Sequence, residues 1–404
     1  MYTKILKTYT FPIILMASIV LGGISGILLG PSAENIKPLG DIFLNLIFTA
    51  IVPLIFFSVS NTIAKTESVA KLGKTLGYMF AAFIFTGLIA AAYMMIVVKF
   101  FPPAQHVYLH LPATSQALTS SHFSDKLIQV FTVSEFTKLF SHENILALII
   151  FSILVGFAAS ATKEKIFIQF LQAGETVSMK IFTYIMYYAP IGFFAYFATI
   201  VSELGPKLIE SYLRVTVIYY AAALFYFFFA FSFYAFLAGK IQGVKLFWKN
   251  IFLPTVTSIA TCSSAASIPA NLIATKQMKV SALTYETVIP LGAMIHKDGS
   301  VIGGIIKIAF LFGIYHLNFA GPSVMMTAIF VSLLVGTAMG AIPSGGMLGE
   351  LLILNFYGFP ASALIAIAAI SVLIDPIATM LNVTGDSVCS MLVARATDGK
   401  RWYS

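Results

Sequence analysis

Uninterrupted apolar runs of about twenty residues restrict what this chain can fold into more than any other feature. Two examples are FPIILMASIVLGGISGILLG at 11–30 and VIYYAAALFYFFFAFSFYAFLAG at 217–239. Each is long enough for an α-helix to cross a bilayer. With only 10% charged residues in 404, the chain could not cover the surface of a soluble protein of this size. We therefore predict an all-α polytopic membrane protein, with the lipid bilayer as its surroundings.

The loops between the apolar spans differ in charge. Before residue 250 the spans cover about 12–30, 41–64, 76–100, 144–160, 178–204 and 213–239. Lysines cluster before the first span and after the second, fourth and sixth, as in cytoplasmic loops. We therefore predict a multi-pass protein of the inner (plasma) membrane with both termini in the cytoplasm and the polar segment 102–142 outside. The net charge of +8 then reflects topology, and no nucleic-acid partner is expected.

After residue 250 two apolar segments are interrupted in their middles. PTVTSIATCSSAASIPANLIATK (254–276) and VGTAMGAIPSGGMLGELLILNF (335–356) carry central clusters of Ser, Thr, Gly and Pro. Such clusters break a helix, and broken helices at membrane depth are tolerated where they line a site. We interpret both as re-entrant hairpins, one on each side of the membrane. Broken segments at corresponding places predict a transporter built on inverted repeats.

The last span carries a polar stripe made of Asp375, Thr379, Asn382 and Asp386. Spacings of four, three and four place these side chains on one face of a helix. Two carboxylates, an amide and a hydroxyl suit an α-amino group and a cation. The alternative is a polar seam that only joins helices, which usually uses Ser, Thr or Asn.

Three ionisable residues, His296, Lys297 and Asp298, stand between two apolar runs in AMIHKDGSVIGG (293–304). One charged residue at the centre of a bilayer costs roughly 2.5–3.5 kcal/mol on insertion scales. This cost indicates a functional site at a helix break. The alternatives are that Lys297 extends to an aqueous edge and that His296 only fills space against a carbonyl group.

The segments SSAASIP, IPLGAMIHKDGS, AIPSGG and LNVTGD, in this order, are similar to the dicarboxylate/amino acid:cation symporter family, which includes the glutamate transporters. The resemblance covers nearly the whole chain and implies eight transmembrane helices plus two re-entrant helical hairpins, an elevator mechanism and a homotrimer. It implies a scaffold formed by helices 1–2 (1–75) and helices 4–5 with the extracellular segment (102–212). The transport domain would be helix 3 (76–101) and residues 213–404, with hairpins at about 251–278 and 323–357.

The same resemblance assigns roles to single residues. Asp375 matches the family position that holds the substrate amino group. The other positions implied to contact substrate are Ser264, Ala265, Ser300, Ile342, Gly346, Thr379 and Asn382. Those implied to form the cation site are Gly292, Asp298, Asn382 and Asp386.

Two departures from the family pattern concern the substrate. Members that take acidic substrates place an arginine where this chain has Ala378, and some place one in the first hairpin, where this chain has Ser263. An unpaired buried carboxylate costs several kcal/mol. A small neutral amino acid is therefore the favoured substrate. The alternative is an acidic amino acid or dicarboxylate, coupled to sodium or protons, whose distal carboxylate meets Lys297 or backbone donors.

Other departures concern the coupling ion. The resemblance implies the motif N-M-D-G-T in sodium-coupled relatives, where this chain has His296 and Lys297 before Asp298. In the third span, Phe83 and Ile84 align with a Thr-Ser pair that binds sodium in those relatives. Because an ammonium nearby repels sodium, we predict a sodium-independent transporter, proton-coupled or uncoupled. Lys297 is expected to pair with Asp298 or Asp386 as a built-in cation. A coupling proton could reside on Lys297, on His296 or on a carboxylate.

No cofactor and no firm metal site is expected, with H+ favoured over Na+ as the coupling ion. A channel and a membrane enzyme are the other functional classes. The chain shows no ring-forming filter motif, and its acids lack the GxGD setting of an intramembrane aspartyl protease. We therefore predict a transporter and not an enzyme.

Overall fold

The computed structural model describes residues 2–64, 73–104, 132–141, 144–204, 207–338 and 346–403. Every regular element in these ranges is helical, which confirms the all-α prediction. In chain order the helices are α1 (Tyr2–Leu29), α2 (Lys37–Ala64), α3 (Gly73–Phe100), α4 (Ile145–Thr162), α5 (Lys165–Leu204), α6 (Lys207–Asn250), α7 (Phe252–Thr261), α8 (Ser264–Gln277), α9 (Ala282–Ile295), α10 (Asp298–Ile314), α11 (Pro322–Ala338), α12 (Gly346–Tyr357) and α13 (Ala363–Thr397). Short 3-10 helices occupy Gly30–Ile36 and Phe136–Phe140.

Several of these helices are long and apolar enough to cross a membrane. Within the described ranges the candidate spans are Ala17–Asn61, Lys74–Phe100, Lys165–Ser202, Glu210–Asn250 and Ala363–Thr397. The polytopic prediction is thereby confirmed, while the number of eight spans stays a prediction. Most of the polar segment 102–142, namely 105–131 and 142–143, lies outside the described residues.

Two helices extend beyond their predicted spans. α5 begins at Lys165, although the apolar pattern predicted a start at 178. α6 continues to Asn250 through a kink at Gly239 and Lys240, whose backbone angles are not helical. In both helices the added turns are more polar than the apolar span, so hydropathy alone ends the helix too early.

The first group of helices consists of α1 and α2 packed against α5, with α4 packed against α2. Gly22 and Gly26 allow α1 to approach the backbone of α5 at Phe194 and Ala198, where a Cβ atom would lie 2.4 and 2.3 Å from the carbonyl oxygens. These four helices are the elements expected to form the scaffold. The division into scaffold and transport domain stays a prediction.

The second group surrounds α13, which packs against α3, α6 and α7 to α10, as well as α12. Two interruptions lie in this group within the described residues. Cys262 and Ser263 separate α7 from α8, and His296 and Lys297 separate α9 from α10. Residues 339–345, which follow α11 and precede α12, lie outside the described residues. Because α7 packs on α8 and α11 on α12, each predicted hairpin segment contains a pair of contacting helices.

Candidate functional site

The break between α9 and α10 places three ionisable side chains in the protein interior. His296 and Lys297 have extended or irregular backbone angles, and Asp298 begins the next helix. The exposed fractions of His296, Lys297 and Asp298 are 2%, 6% and 1%. The positive end of the α10 dipole stabilises the Asp298 carboxylate, because it favours an anion in the first turn of a helix. Lys297 is buried, so the alternative in which it reaches an aqueous edge does not describe this structure.

The imidazole of His296 lies between the two buried carboxylates. Its Nδ1 is 2.9 Å from Oδ1 of Asp386, and its Nε2 is 3.1 Å from Oδ1 of Asp298. Oδ2 of Asp386 has no hydrogen-bond partner within the described parts of the chain, and Oδ1 of Asp298 has none apart from this ion-pair contact with the imidazole. A protonated imidazole carries one positive charge and has an N–H group facing each carboxylate. It would therefore reduce the net charge of the three groups from −2 to −1. The predicted cation-site residue Gly292 allows this arrangement, because a Cβ there would lie 2.4 Å from Asp386 Oδ1.

Helix α3 completes this cluster with Thr86, one turn beyond the predicted pair. Thr86 Oγ1 lies 2.8 Å from His296 Nε2. Phe83 stacks on the imidazole with ring centroids 4.4 Å apart, whereas Ile84 is 59% exposed and points away. The structure therefore brings Phe83 to the cluster and adds Thr86, which the sequence did not single out. The alignment of Phe83 and Ile84 with a sodium-binding Thr-Ser pair stays a prediction.

Lys297 does not make the predicted ion pair with Asp298 or Asp386. Its Nζ donates a hydrogen bond of 2.8 Å to Ser264 Oγ at the start of α8. Among the described residues no carboxylate lies within ion-pair distance of this ammonium. The expectation of Lys297 as the built-in cation is therefore corrected, because consecutive residues at a helix break point in different directions. His296 contacts the acids, and Lys297 faces the first hairpin.

The polar stripe of α13 connects this cluster to an open surface. Thr379 donates to Asp375 Oδ1 at 3.1 Å, and the Asp375 side chain is exposed. One turn further, Asn382 accepts from the Ser300 backbone N–H at 3.2 Å and donates to Ser300 Oγ at 3.1 Å. The predicted stripe therefore presents one carboxylate that is accessible to a ligand, with an amide fixed against α10.

The tip of the first hairpin presents small polar groups beside Lys297. Ser263 caps α8 by accepting from the Ala266 N–H at 3.2 Å, and Ala265 is exposed. In the second hairpin Gly346 begins α12, and the predicted contact Ile342 lies outside the described residues. Free N–H groups at the N-terminus of a helix favour a carboxylate, and a nearby ammonium adds to this preference.

Several residues that surround the buried acids could not be predicted from the sequence. Tyr226 donates to Asp298 Oδ2 at 3.3 Å, and its hydroxyl lies 2.9 Å from that of Tyr234. Cys389 Sγ lies 3.7 Å from His296 Nε2, so this cysteine lines the cluster. In α6 the tyrosines stand among many aromatic residues, and no sequence signal separates them from lipid-facing ones.

Gly299 holds α10 close to α13 at the centre of the site. A Cβ at this position would lie 2.3 Å from the carbonyl oxygen of Ala378, a backbone atom that cannot rotate away. We expect Gly299→Ala to destabilise the protein by about 1–3 kcal/mol or more and to lower its melting temperature by several degrees. Gly77→Ala is the matched control, since a Cβ there meets nothing within 4 Å. Equal melting temperatures for both variants would contradict the close approach.

Sequence comparison places this architecture among known transporters. A family model described as the sodium:dicarboxylate symporter family matches residues 11–396. The proton/sodium-glutamate symport protein of Bacillus caldotenax is 24% identical over 400 residues, covering 93% of this chain and 93% of the relative. The C4-dicarboxylate transport protein of Bacillus subtilis (strain 168) is 25% identical over 403 residues, covering 97% and 94%. That of Verminephrobacter eiseniae (strain EF01-2) is 27% identical over 395 residues, covering 94% and 88%.

The match extends over both helix groups and includes every residue of the candidate site. The buried acids and the broken helices of the structure are features that suit transport, and the family is one of symporters and not of enzymes. This multi-pass membrane chain therefore belongs to the sodium:dicarboxylate symporter family.

Proposed function

We propose that this chain is a sodium-independent, proton-coupled symporter of an acidic amino acid or C4-dicarboxylate. The observation that carries the substrate part is the buried ammonium of Lys297, which faces the first hairpin and has no carboxylate within ion-pair distance among the described residues. A buried charge without a counter-charge in direct contact is costly, so a ligand carboxylate beside Lys297 would stabilise it.

A dianionic substrate fits the groups around this ammonium. One carboxylate would meet Lys297 and the N–H groups that begin α8, and an amino group would meet the exposed carboxylate of Asp375. Thr379 donates to this carboxylate, and the hydrogen-bonded pair Asn382–Ser300 lies one turn further along α13. The relatives named as glutamate or C4-dicarboxylate transporters support this choice of substrate class.

The neutral substrate favoured by the sequence depends on the absence of an arginine at Ala378 and Ser263. In the structure the Ala378 backbone packs against Gly299, and Ser263 caps α8. Lys297 is a buried cation beside the same hairpin, so it can pair with a substrate carboxylate in place of the missing arginine. We therefore propose the acidic class, and a neutral amino acid becomes an outcome that the experiment can detect.

Sodium independence is supported by the position of His296. Its ring lies between Asp298 and Asp386, two of the oxygen donors that a bound cation would need. A hard cation requires several oxygen ligands and gains nothing from a ring that occupies the space between them. A proton on the imidazole supplies positive charge without a bound metal ion. We further propose a plasma-membrane protein with cytoplasmic termini, as the loop charges predict, and a homotrimer with an elevator-type transport domain, as the family resemblance implies.

Uptake into proteoliposomes tests the proposed function. We expect labelled aspartate to be displaced by unlabelled aspartate or succinate but not by serine, with the same affinity in sodium, potassium and choline salts. An inward proton gradient should cause accumulation, and a sodium gradient of equal size should not. Displacement by serine but not by aspartate would overturn the substrate class. A sodium-dependent gain in affinity would overturn the coupling proposal, and empty liposomes provide the control.

A further inference from the structure

A second buried ion pair lies outside the candidate site. Lys307 Nζ of α10 is 2.9 Å from Glu350 Oε1 of α12, and the side chains are 4% and 0% exposed. Ser371 of α13 contacts both, since Lys307 donates to Ser371 Oγ and Ser371 donates to Glu350 Oε1. Three helices, including the return helix of the second hairpin, therefore meet at one charged cluster.

This cluster is a poor means of stabilising a fold. Two buried charges lose their hydration, and apolar residues of similar volume are often as stabilising as the pair or more so. Removal of one partner is costly, because the remaining charge is left buried alone. A buried ion pair in an apolar helix bundle therefore calls for a role that apolar packing would not fulfil.

The position of Ser371 indicates such a role. Asp375 stands one turn further along α13, and Pro376 follows it directly. Proline has no N–H, so it cannot donate a helical hydrogen bond to the Val372 carbonyl, and its ring crowds the preceding turn. The helix is thus weakened at Asp375, and the orientation of 363–375 relative to 377–397 depends on tertiary contacts.

We propose that Lys307 and Glu350 are positioning residues that act through Ser371. They hold the half of α13 before Pro376 against α10 and α12, and so fix the direction of the Asp375 carboxylate. Neither residue touches the substrate. The proposal rests on the proposed function only in assigning Asp375 to the substrate amino group.

Hydrogen–deuterium exchange of the full chain in lipid nanodiscs tests the positioning without substrate. In Lys307→Met and in Glu350→Gln we expect the exchange rate of 363–375 to rise roughly tenfold and that of 379–397 to stay unchanged. A tenfold change lies within the range of interaction energies between residues of one hydrogen-bonded network. The dissociation constant of aspartate should rise by a similar factor, and that of succinate, which has no amino group, by much less. An equal increase in exchange over both halves of α13, or no increase in either half, would overturn the proposal.

The double variant Lys307→Met/Glu350→Met separates positioning from plain stability. Because no unpaired charge remains, its melting temperature should return to that of the wild type. Ser371 still lacks its charged partners, so exchange of 363–375 should remain fast. If the melting temperature and the exchange rate of 363–375 both returned to the wild-type values, the pair would only stabilise the fold. If the wild type binds neither aspartate nor succinate, the proposed function fails, while the exchange result still decides the positioning.

Discussion

Lys297→Met should reduce the affinity for aspartate and succinate by about 30-fold or more. The variant leaves a substrate carboxylate without its cation in a buried place, and loss of one partner of a buried charge pair costs about 2–5 kcal/mol. Methionine has a similar length and lacks only the charge. Titration of the purified protein with each acid, followed by intrinsic fluorescence or calorimetry, measures the change.

The fold of this variant should stay intact, because Lys297 forms no ion pair within the described part of the chain. Its bond to Ser264 is the contact that is lost. Lys297→Arg keeps the charge and should retain most of the affinity. Lys276→Met, at an exposed position near the end of α8, is the matched control and should bind like the wild type. Unchanged binding in Lys297→Met would exclude the ammonium as the substrate's partner.

The sequence predicted the elements of this fold well because their signals are local. Long apolar runs identified helices long enough to span a membrane, and the polar cluster in 254–276 identified the break at Cys262 and Ser263. The stripe at Asp375, Thr379, Asn382 and Asp386 follows from helical spacing alone, and the structure shows one continuous helix there. Periodicity determines which face of an element a residue occupies, so predictions of this kind need no knowledge of the neighbours.

The prediction that depends on side-chain direction at a helix break failed, and contacts between helices far apart in sequence were missed. His296 and Lys297 are adjacent at a break, where no period relates their side chains, and the sequence assigned the contact with the acids to the wrong one. Thr86 was missed because α3 has no motif that fixes its register against α9 and α10. Lys307 and Glu350 lie 43 positions apart in sequence, and only the packing of α10 on α12 reveals them as a pair.

His296→Asn should make the protein respond to sodium. The shorter amide removes the ring between the two acids and leaves a carbonyl oxygen beside Asp298, Asp386 and Thr86, all oxygen donors. Sodium bound to the folded state stabilises it by RT ln(1 + [Na+]/Kd), about 2.7 kcal/mol at one hundred times Kd. The measurement is the melting temperature in sodium chloride against choline chloride at equal ionic strength, without substrate.

Lys297→Met is the comparison that locates the built-in cation. If the ammonium excluded sodium, this variant would gain a sodium-specific rise in melting temperature. We expect it to gain none, because Lys297 Nζ donates to Ser264 while His296 still occupies the space between the acids. We expect His296→Asn to gain one and the wild type to show none. A sodium response in the wild type would refute sodium independence, and a response in Lys297→Met alone would return the role of resident cation to the lysine.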